Sequence, residues 1–272
     1  MKKTTVSLQE NNKGVLLSLD DRVFLGEGLF ETIKIAQGKA QYSQLHWERL
    51  RQGALVLDIP FDLSLASWQA SIQHLIDTTS LQQGGMKAIL CSKEAPRGLH
   101  VHSTHSTLFL HGFHYQVDST PLHLMSAPWV RDAKNPIYRL KSLNYLEAIM
   151  ARRYALEHAA DEVLFFNSEH HLMETPIASL FLVKNESLYT PCQDSGILAG
   201  VIRQRLLDLS KKNNIPCIET YLTKEDLLAA EAVFTCNALQ GIRAVKSFET
   251  TSFNCAHPLV AQLMHYLALE SA

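Results

Sequence analysis

Short apolar runs and longer amphipathic segments alternate along the first part of the chain. Apolar and β-branched runs bounded by turn residues predict strands, whereas apolar residues that repeat every three or four positions predict helices. The predicted strands cover residues 14–19, 30–35, 87–91 and 107–115, and the predicted helices cover residues 44–57 and 65–78. This mixture predicts an α+β unit with mostly antiparallel strands that ends near residue 117.

The second part of the chain follows a polar, proline-containing stretch at residues 118–121, which is typical of a domain boundary. The predicted strands cover residues 122–125, 162–166, 179–183, 188–190 and 232–236, and predicted helices cover residues 201–213 and 258–269. A further helix begins close after Lys141. Its periodicity places four apolar residues on one face, namely Leu143, Leu146, Ile149 and Met150.

The length and composition of the chain agree with two globular domains. The chain has 272 residues, of which 46% are hydrophobic, and a formal net charge of -2. We therefore predict an α/β (α+β) fold of two domains. Residues 1–117 would form a smaller N-terminal α+β domain, and residues 118–272 a larger C-terminal domain that contains Lys141.

Charge, apolar runs and cysteines argue against several classes of protein. Lys and Arg are scattered among acidic residues, so no basic stripe for nucleic acid is expected. The longest apolar runs, such as residues 180–183, are too short to span a membrane, and the basic start has no apolar segment of a secretory signal. Five cysteines without a C-x-x-C pair argue against a disulfide framework and a structural zinc site. We predict a cytoplasmic protein that acts on a small molecule.

Three histidines lie close together in the sequence, His100, His102 and His105. On a strand, the first two would share one face and could bind a metal ion. No carboxylate or cysteine accompanies them, so a polar strand or loop face is the favoured interpretation. No metal site is predicted.

Lys141 lies between Leu140 and Leu143, where an extended run meets the predicted helix. Partial burial would disfavour its ammonium form and favour the nucleophilic amine that forms Schiff bases. Taken alone, the same lysine fits a surface position at a helix start, with its aliphatic stem lying on apolar neighbours. The local sequence leaves both interpretations open.

Glu174 stands between the apolar Met173 and the pair Thr175-Pro176, just before a hydrophobic strand. A carboxylate that enters a core strand needs a cation or hydrogen-bond donors, because burying an unpaired charge is unfavourable. The protonated ring nitrogen of a cofactor would meet this need. The alternative is an ordinary glutamate in a surface loop.

A glycine-bearing turn at residues 196–200 leads into the helix predicted from Val201. The first backbone N–H groups of a helix have no partner within it, and Gly200 allows a close approach, so this start could bind a phosphate. Residues 235–238, which end a predicted strand with small and polar side chains, could add N–H donors. An ordinary loop and an ordinary strand end remain the alternatives.

Taken in order, these segments resemble the fold-type IV pyridoxal-phosphate enzymes, the family of D-amino-acid transaminases, branched-chain aminotransferases and 4-amino-4-deoxychorismate lyases. The resemblance covers nearly the whole chain. It lies in Asp21-Arg22, Gly26-Glu27-Gly28-Leu29-Phe30-Glu31-Thr32, His46-Trp47-Glu48-Arg49-Leu50, Lys141-Ser142-Leu143-Asn144, Glu174, Gly200-Val201-Ile202-Arg203 and Cys236-Asn237-Ala238. Each motif is weak by itself, whereas the ordered set is specific.

The resemblance implies a two-domain fold with pyridoxal 5'-phosphate in the cleft between the domains, and usually a homodimer. It implies that Lys141 forms the Schiff base with the cofactor and that Glu174 keeps the ring nitrogen protonated. Arg49 would pair with the phosphate, and Leu198 would lie against the ring. The other residues expected to bind the cofactor, chiefly through backbone N–H groups, are Val201, Ile202, Asn237 and Ala238.

Two positions depart from the family pattern. The family commonly has Asn five residues after the ring glutamate, where this chain has Ser179, and usually has Thr at the position of Ile202. The backbone donors to the phosphate survive both changes. One side-chain hydroxyl to the phosphate is missing.

Weaker signals indicate the subgroup. The lyases are similar to this chain in the stretch Cys236-Asn237-Ala238-Leu239, and Arg97-Gly98-Leu99 resembles their Arg-Gly-aromatic stretch, although Leu99 replaces the aromatic residue. We therefore expect a 4-amino-4-deoxychorismate lyase of folate synthesis, with Arg97 holding a substrate carboxylate. The alternatives are a D-amino-acid or branched-chain aminotransferase, and a non-catalytic cofactor-binding protein. The Arg-x-His carboxylate signature of the D-amino-acid transaminases is absent here.

Overall fold

A computed structural model describes residues 3–8, 22–93 and 98–270 of the chain. Asp21, Arg97 and the strand predicted at residues 14–19 lie outside these ranges. The chain divides into two compact units. Unit 1 is Met1–Gln116 with Leu140–Asn144, and unit 2 is Val117–Arg139 with Tyr145–Ala272.

Unit 1 is an α+β structure. Its described elements are the strands β1 (Lys3–Leu8), β2 (Gly28–Ala36), β3 (Lys39–Ala40), β4 (Gln83–Lys93) and β5 (His105–Phe113), and the helices α1 (Ser43–Val56) and α2 (Leu65–Thr79). Within the described residues, the strands form one sheet in the order β1-β5-β4-β2-β3, antiparallel except where β1 pairs with β5. The prediction of mostly antiparallel strands is confirmed.

The core of unit 1 lies between this sheet and its helices. Helix α2 begins at a Ser64 cap, whose hydroxyl accepts a hydrogen bond from the Ser67 N–H at 3.1 Å. The helix buries one face at helical spacing, formed by Trp68, Ile72, Leu75 and Ile76. These side chains belong to the same hydrophobic cluster as the inward residues of β2 and β4, such as Ile33 and Met86.

The segment that carries Lys141 belongs to unit 1, whereas the sequence led us to expect it in the second domain. Leu140 packs against the core of unit 1. Ser142 forms a β-bridge with Leu29 of β2. The Lys141 segment therefore pairs with a strand that lies more than a hundred residues earlier in the sequence.

Unit 2 contains the remaining described elements. Its strands are β6 (Leu122–Ser126), β7 (Glu162–Leu164), β8 (Ser179–Lys184), β9 (Ser187–Pro191), β10 (Cys217–Thr220), β11 (Ala232–Asn237), β12 (Gly241–Phe248) and β13 (Thr251–Ser252), and its helices are α3 (Leu146–Glu157), α4 (Val201–Lys212), α5 (Lys224–Leu228) and α6 (Pro258–Glu270). Within the described residues, one sheet runs in the order β10-β9-β8-β11-β12-β6-β7, with β13 paired to β12. Strand β12 was not predicted.

Helix α3 differs from its prediction in start and orientation. It begins at Leu146, because residues up to Asn144 are drawn into pairing with unit 1. Three of the four apolar residues expected on one face stay exposed, namely Leu146 at 67%, Ile149 at 44% and Met150 at 51%. Alanines form the buried face instead, at Ala148, Ala151 and Ala155. Small side chains allow the helix to lie close to β7, its main neighbour.

The described helices were also compared with the requirements of a membrane span. None of them combines the length and the apolar character needed to cross a bilayer.

Candidate active site

Lys141 is positioned by backbone hydrogen bonds to the start of β2. The Phe30 N–H donates to the Lys141 carbonyl at 2.8 Å, and the Leu143 N–H donates to the Gly28 carbonyl at 3.0 Å. The side chain is half-buried, and its Nζ lies 4.3 Å from the centroid of the Phe30 ring. A cation over an aromatic face is favourable. The lysine is therefore held in place by both its backbone and its side chain.

Two glycines of the first motif allow this pairing. A Cβ on Gly28 would lie 2.6 Å from Leu143 Cδ1 and 2.9 Å from the Leu90 carbonyl oxygen. Gly26 has a φ of +81°, which favours glycine, and its carbonyl accepts a hydrogen bond from Asn144 Nδ2 at 3.1 Å. The glycine motif and the lysine motif, distant in the sequence, thus pack against each other.

Arg49 lies beside a buried carboxylate in unit 1. Its Nε donates to Glu31 Oε1 at 2.8 Å and its Nη2 to Glu31 Oε2 at 2.5 Å, a two-bond pairing of guanidinium and carboxylate. His46 Nδ1 lies 2.6 Å from Glu31 Oε2. Since a carboxylate accepts, His46 donates from Nδ1, and its buried Nε2 has no hydrogen-bond partner among the described residues.

The charges in this group perturb two pKa values. Burial alone would raise the pKa of Glu31, but the Arg49 guanidinium and the His46 hydrogen bond lower it to about 2. Burial lowers the pKa of His46, and the positive charges of Arg49 and Lys141 lower it further, although Glu31 opposes them. Lys141 is thus near enough to His46 for its charge to act there. We call Phe30, Glu31, His46, Arg49 and Lys141 the lysine cluster.

Glu174 is buried in unit 2. Its backbone carbonyl accepts from the Phe165 N–H at 3.0 Å, which places the residue beside the segment that follows β7. Its carboxylate faces the backbone N–H of Leu198, at 3.4 Å to Oε1 and 3.3 Å to Oε2. Two predicted cofactor residues, Glu174 and Leu198, therefore lie side by side.

A guanidinium also faces this carboxylate. Arg131 Nη1 lies 3.7 Å from Glu174 Oε1, and Arg131 Nη2 lies 2.9 Å from Glu147 Oε2. The Trp129 indole N–H donates to the other Glu147 oxygen at 2.9 Å. We call Arg131, Glu147, Glu174 and Leu198 the glutamate cluster.

The local structure at the start of α4 favours the binding of an anion. Gly200 occupies the cap position and has no side chain that could satisfy the first N–H groups, those of Val201, Ile202 and Arg203. A Cβ on Gly200 would lie 2.6 Å from Ser179 Oγ, so this backbone is packed closely against the start of β8. The positive end of a helix and unpaired N–H groups suit a phosphate.

The end of β11 lies near the same serine. Cys236 pairs with Ser179 across the β8–β11 ladder, and Asn237 and Ala238 follow directly. Asn237 Oδ1 accepts hydrogen bonds from the backbone N–H groups of Leu239 at 3.1 Å and Gln240 at 2.9 Å. Its side chain therefore shapes the turn after β11, and its proposed contact with a cofactor stays a prediction.

The structure sorts the predicted residues into two sets. Lys141 and Arg49 belong to unit 1, whereas Glu174, Leu198, Val201, Ile202, Asn237 and Ala238 belong to unit 2. Arg97, the predicted substrate residue, lies outside the described residues. The roles of all these residues remain predictions.

Sequence reasoning gave no role to five members of the two clusters, namely Phe30, Glu31, His46, Arg131 and Glu147. Glu31 and His46 could have been found, because Glu31 alternates in phase with the buried Ile33 and Ile35 of β2 and so had to be a core carboxylate. Arg131 and Glu147 carry no comparable signal. They lie in an irregular segment and on a half-exposed helix, and only the fold brings them together.

Comparisons with known proteins agree with the family that the sequence resembles. A solved structure from Legionella pneumophila, assigned by name to 4-amino-4-deoxychorismate lyase, is 42% identical with a TM-score of 0.95, covering 99% of this chain and 100% of that one. An aminodeoxychorismate lyase of Vibrio harveyi is 25% identical over 249 residues, 89% of this chain and 90% of the relative.

Aminotransferases are also among the relatives. A D-alanine aminotransferase of Listeria innocua is 26% identical over 272 residues, which cover 97% of this chain and 93% of the relative. The family model for class IV amino-transferases matches residues 28–248. This match includes Lys141 and both clusters. The chain belongs to the class IV aminotransferase family.

Proposed function

We propose that this chain is a pyridoxal-phosphate-dependent 4-amino-4-deoxychorismate lyase, which forms 4-aminobenzoate and pyruvate for folate synthesis. The observation that carries the proposal is the 42% identity to the Legionella pneumophila protein over 99% of this chain. The D-alanine aminotransferase relatives are more distant, at 26% identity for the Listeria innocua protein.

The donor groups of the two units fit pyridoxal phosphate. Unit 1 offers an amine at Lys141 and a guanidinium at Arg49, whose orientation is fixed by Glu31. Unit 2 offers a buried carboxylate at Glu174 and an uncapped helix start at Gly200. A covalent amine partner, a carboxylate for the ring nitrogen and N–H donors for a phosphate are the three groups that the cofactor requires.

Each residue then has a defined task. Lys141 Nζ binds the cofactor, and after its release it takes the ring proton of the substrate. Glu174 stabilises the charged form of the ring nitrogen, while Arg49 and the N–H groups of Val201 and Ile202 hold the phosphate. The bound cofactor supplies an electron sink. Leu198 packs beside the ring, Asn237 and Ala238 support the phosphate end, and Arg97 holds a substrate carboxylate.

We also propose that the enzyme works in the cytoplasm as a homodimer. The exposed apolar residues Leu146, Ile149 and Met150 on α3 support a further contact surface. The buried Cys236, which forms no disulfide, supports a reducing compartment. Sedimentation of the purified protein tests the dimer directly.

Borohydride reduction tests the cofactor assignment. The protein is incubated with pyridoxal phosphate, reduced with borohydride, digested and analysed by mass spectrometry. The reduced adduct should lie on Lys141 and be absent from Lys141→Ala, whereas Lys134→Ala, which removes an exposed lysine, should keep it. An adduct spread over surface lysines in the wild type would contradict the assignment.

Product analysis tests the reaction. With 4-amino-4-deoxychorismate, the loaded enzyme should release equal amounts of 4-aminobenzoate and pyruvate. The alternative is tested in parallel with D-alanine, leucine and a 2-oxo acid. Amino transfer without formation of 4-aminobenzoate would establish the aminotransferase alternative, for which the Listeria innocua relative provides the precedent.

A further inference from the structure

Arg131 is a buried arginine. Its neighbours among the described residues include two aromatic rings and two carboxylates. Its side chain is 7% exposed, and its guanidinium carbon lies 3.5 Å from the centroid of Phe165 and 4.6 Å from that of Tyr138. Its backbone N–H donates to the Phe166 carbonyl at 3.0 Å. The guanidinium therefore lies over two aromatic rings, and its N–H groups at the edges form its hydrogen bonds.

Those edges are divided between two carboxylates. Nε and Nη2 lie 3.0 Å and 2.9 Å from Glu147 Oε2, while Nη1 lies 3.7 Å from Glu174 Oε1. The Glu147 pairing fixes the plane of the guanidinium, and that plane directs Nη1 toward Glu174. A lysine could not do this, because an ammonium group is a single point charge without a planar fork.

The three charged side chains of the glutamate cluster are one cation and two anions. Arg131 contributes +1, and Glu147 and Glu174 contribute -1 each, so these three side chains sum to -1. An ionised carboxylate stabilises a cationic group that faces it. The protonated ring nitrogen of pyridoxal phosphate is such a group.

We propose that Arg131 is a positioning residue that keeps Glu174 ionised and oriented, so that the carboxylate stabilises the protonated form of the cofactor ring nitrogen. This inference rests on the proposed function and deepens it. Arg131 acts through Glu174, and Glu147 acts through Arg131. Without the guanidinium, Glu174 would hold the shared proton more tightly, because a nearby cation favours the charged carboxylate and Glu147 would then repel it.

The ring nitrogen itself provides the readout. The wild type and Arg131→Gln are loaded with pyridoxal phosphate that is labelled with 15N in the ring, and the nitrogen chemical shift is measured by NMR. The free cofactor at low and at high pH supplies the protonated and deprotonated reference signals. The wild type should give a signal near the protonated reference, and Arg131→Gln should be displaced toward the deprotonated one.

Two further variants separate the charge of Arg131 from its structural contribution. Glu147→Gln weakens the ion pair and should lower the melting temperature, yet its side-chain oxygen can still accept hydrogen bonds from the guanidinium, so the signal should be displaced less than in Arg131→Gln. Arg153→Met removes an exposed arginine of α3 and should change neither property. If Arg131→Gln does not fold, Arg131→Lys replaces it in the test. A single ammonium group cannot contact both carboxylates as the guanidinium does, so the nitrogen signal should still be displaced, by a smaller amount.

An unchanged wild-type signal in the folded Arg131 variants would overturn the inference. Equal displacement in Glu147→Gln and in the Arg131 variants would overturn it too, because loss of structure alone would then explain the effect. Failure of the proposed function is recognised separately. In that case the wild type itself would carry no borohydride-fixed cofactor on Lys141.

Discussion

Phe30 donates its backbone N–H to the carbonyl of Lys141 at 2.8 Å, although 110 positions separate them in the chain. The same pair is linked through side chains, since Lys141 Nζ lies 4.3 Å from the Phe30 ring centroid. The position of Lys141 is therefore set by β2. Changes at the start of this strand should affect Lys141 as strongly as changes close to it in sequence.

Gly28→Ala should destabilise the protein and impair attachment of the cofactor to Lys141. The new Cβ would lie 2.6 Å from Leu143 Cδ1 and 2.9 Å from the backbone oxygen of Leu90, which cannot move aside easily. Overpacking of this kind costs about 1–3 kcal/mol. Thermal melting of the apoprotein and the yield of borohydride-fixed adduct measure the two effects.

Gly112→Ala is the matched control for Gly28→Ala. Gly112 lies in β5 of the same sheet, and its new Cβ would meet only the end of the Leu81 side chain, at 3.1 Å. The end of this side chain needs to move by only a few tenths of an ångström, so the variant should melt closer to the wild type than Gly28→Ala does. Equal losses in the two variants would show that the lysine segment has no special sensitivity.

Glu31→Gln should cost roughly 3 kcal/mol of unfolding free energy. The substitution removes the charge that pairs with Arg49 in a buried setting, and a broken buried pair leaves the remaining charge uncompensated. Denaturant unfolding of the apoprotein measures the loss. Glu48→Gln, which affects only an exposed contact with Gln44 on α1, should change the stability by less than about 0.5 kcal/mol.

The pH dependence of stability should also carry the signature of Glu31. Its pKa is about 2 in the folded state against 4.5 as the ordinary value. The unfolded chain therefore binds the proton first, so the stabilisation is complete above pH 4.5 and is lost as the pH falls toward 2. When the unfolding free energy is measured at several pH values in this window, it should change less with pH in Glu31→Gln than in the wild type. A wild-type slope retained in the variant would contradict the pairing.

Gly200→Ala should destabilise the apoprotein, and Ser179→Ala should relieve much of this effect. The added Cβ would lie 2.6 Å from Ser179 Oγ, an atom that the second substitution removes. A double-mutant cycle by thermal unfolding should thus give a coupling of about 1 kcal/mol or more. Simple additivity would show that the two residues are not in contact.

The cysteines should differ sharply in reactivity toward a thiol reagent at pH 8. Burial raises the pKa of Cys217 to about 11 and that of Cys236 to about 12, and a thiol must ionise to react. The exposed Cys255 should therefore account for the fast phase. Cys255→Ser should abolish that phase, and labelling of Cys236 should require unfolding.

Many elements were predictable because their local patterns are strong. Helix α2, from Leu65 to Thr79, was predicted to within one residue, since its apolar spacing and its Ser64 cap are both local signals. Strand β12 was missed because Arg243, Lys246 and Ser247 interrupt its apolar residues, so the segment lacks the regular alternation of a strand. Its place beside β11 is determined by pairing, which the local pattern does not contain.

The sequence by itself determined the family, because an ordered set of motifs needs no geometry to be recognised. It also identified Lys141 and Glu174 as candidates for the amine and the carboxylate that bind the same cofactor. Only the tertiary structure decided that the Lys141 segment pairs with β2, that Glu31 holds Arg49, and that Arg131 faces Glu174. The physical reason is that each of these contacts joins residues far apart in the chain, where burial and hydrogen bonding depend on how strands and helices pack rather than on their neighbours in sequence.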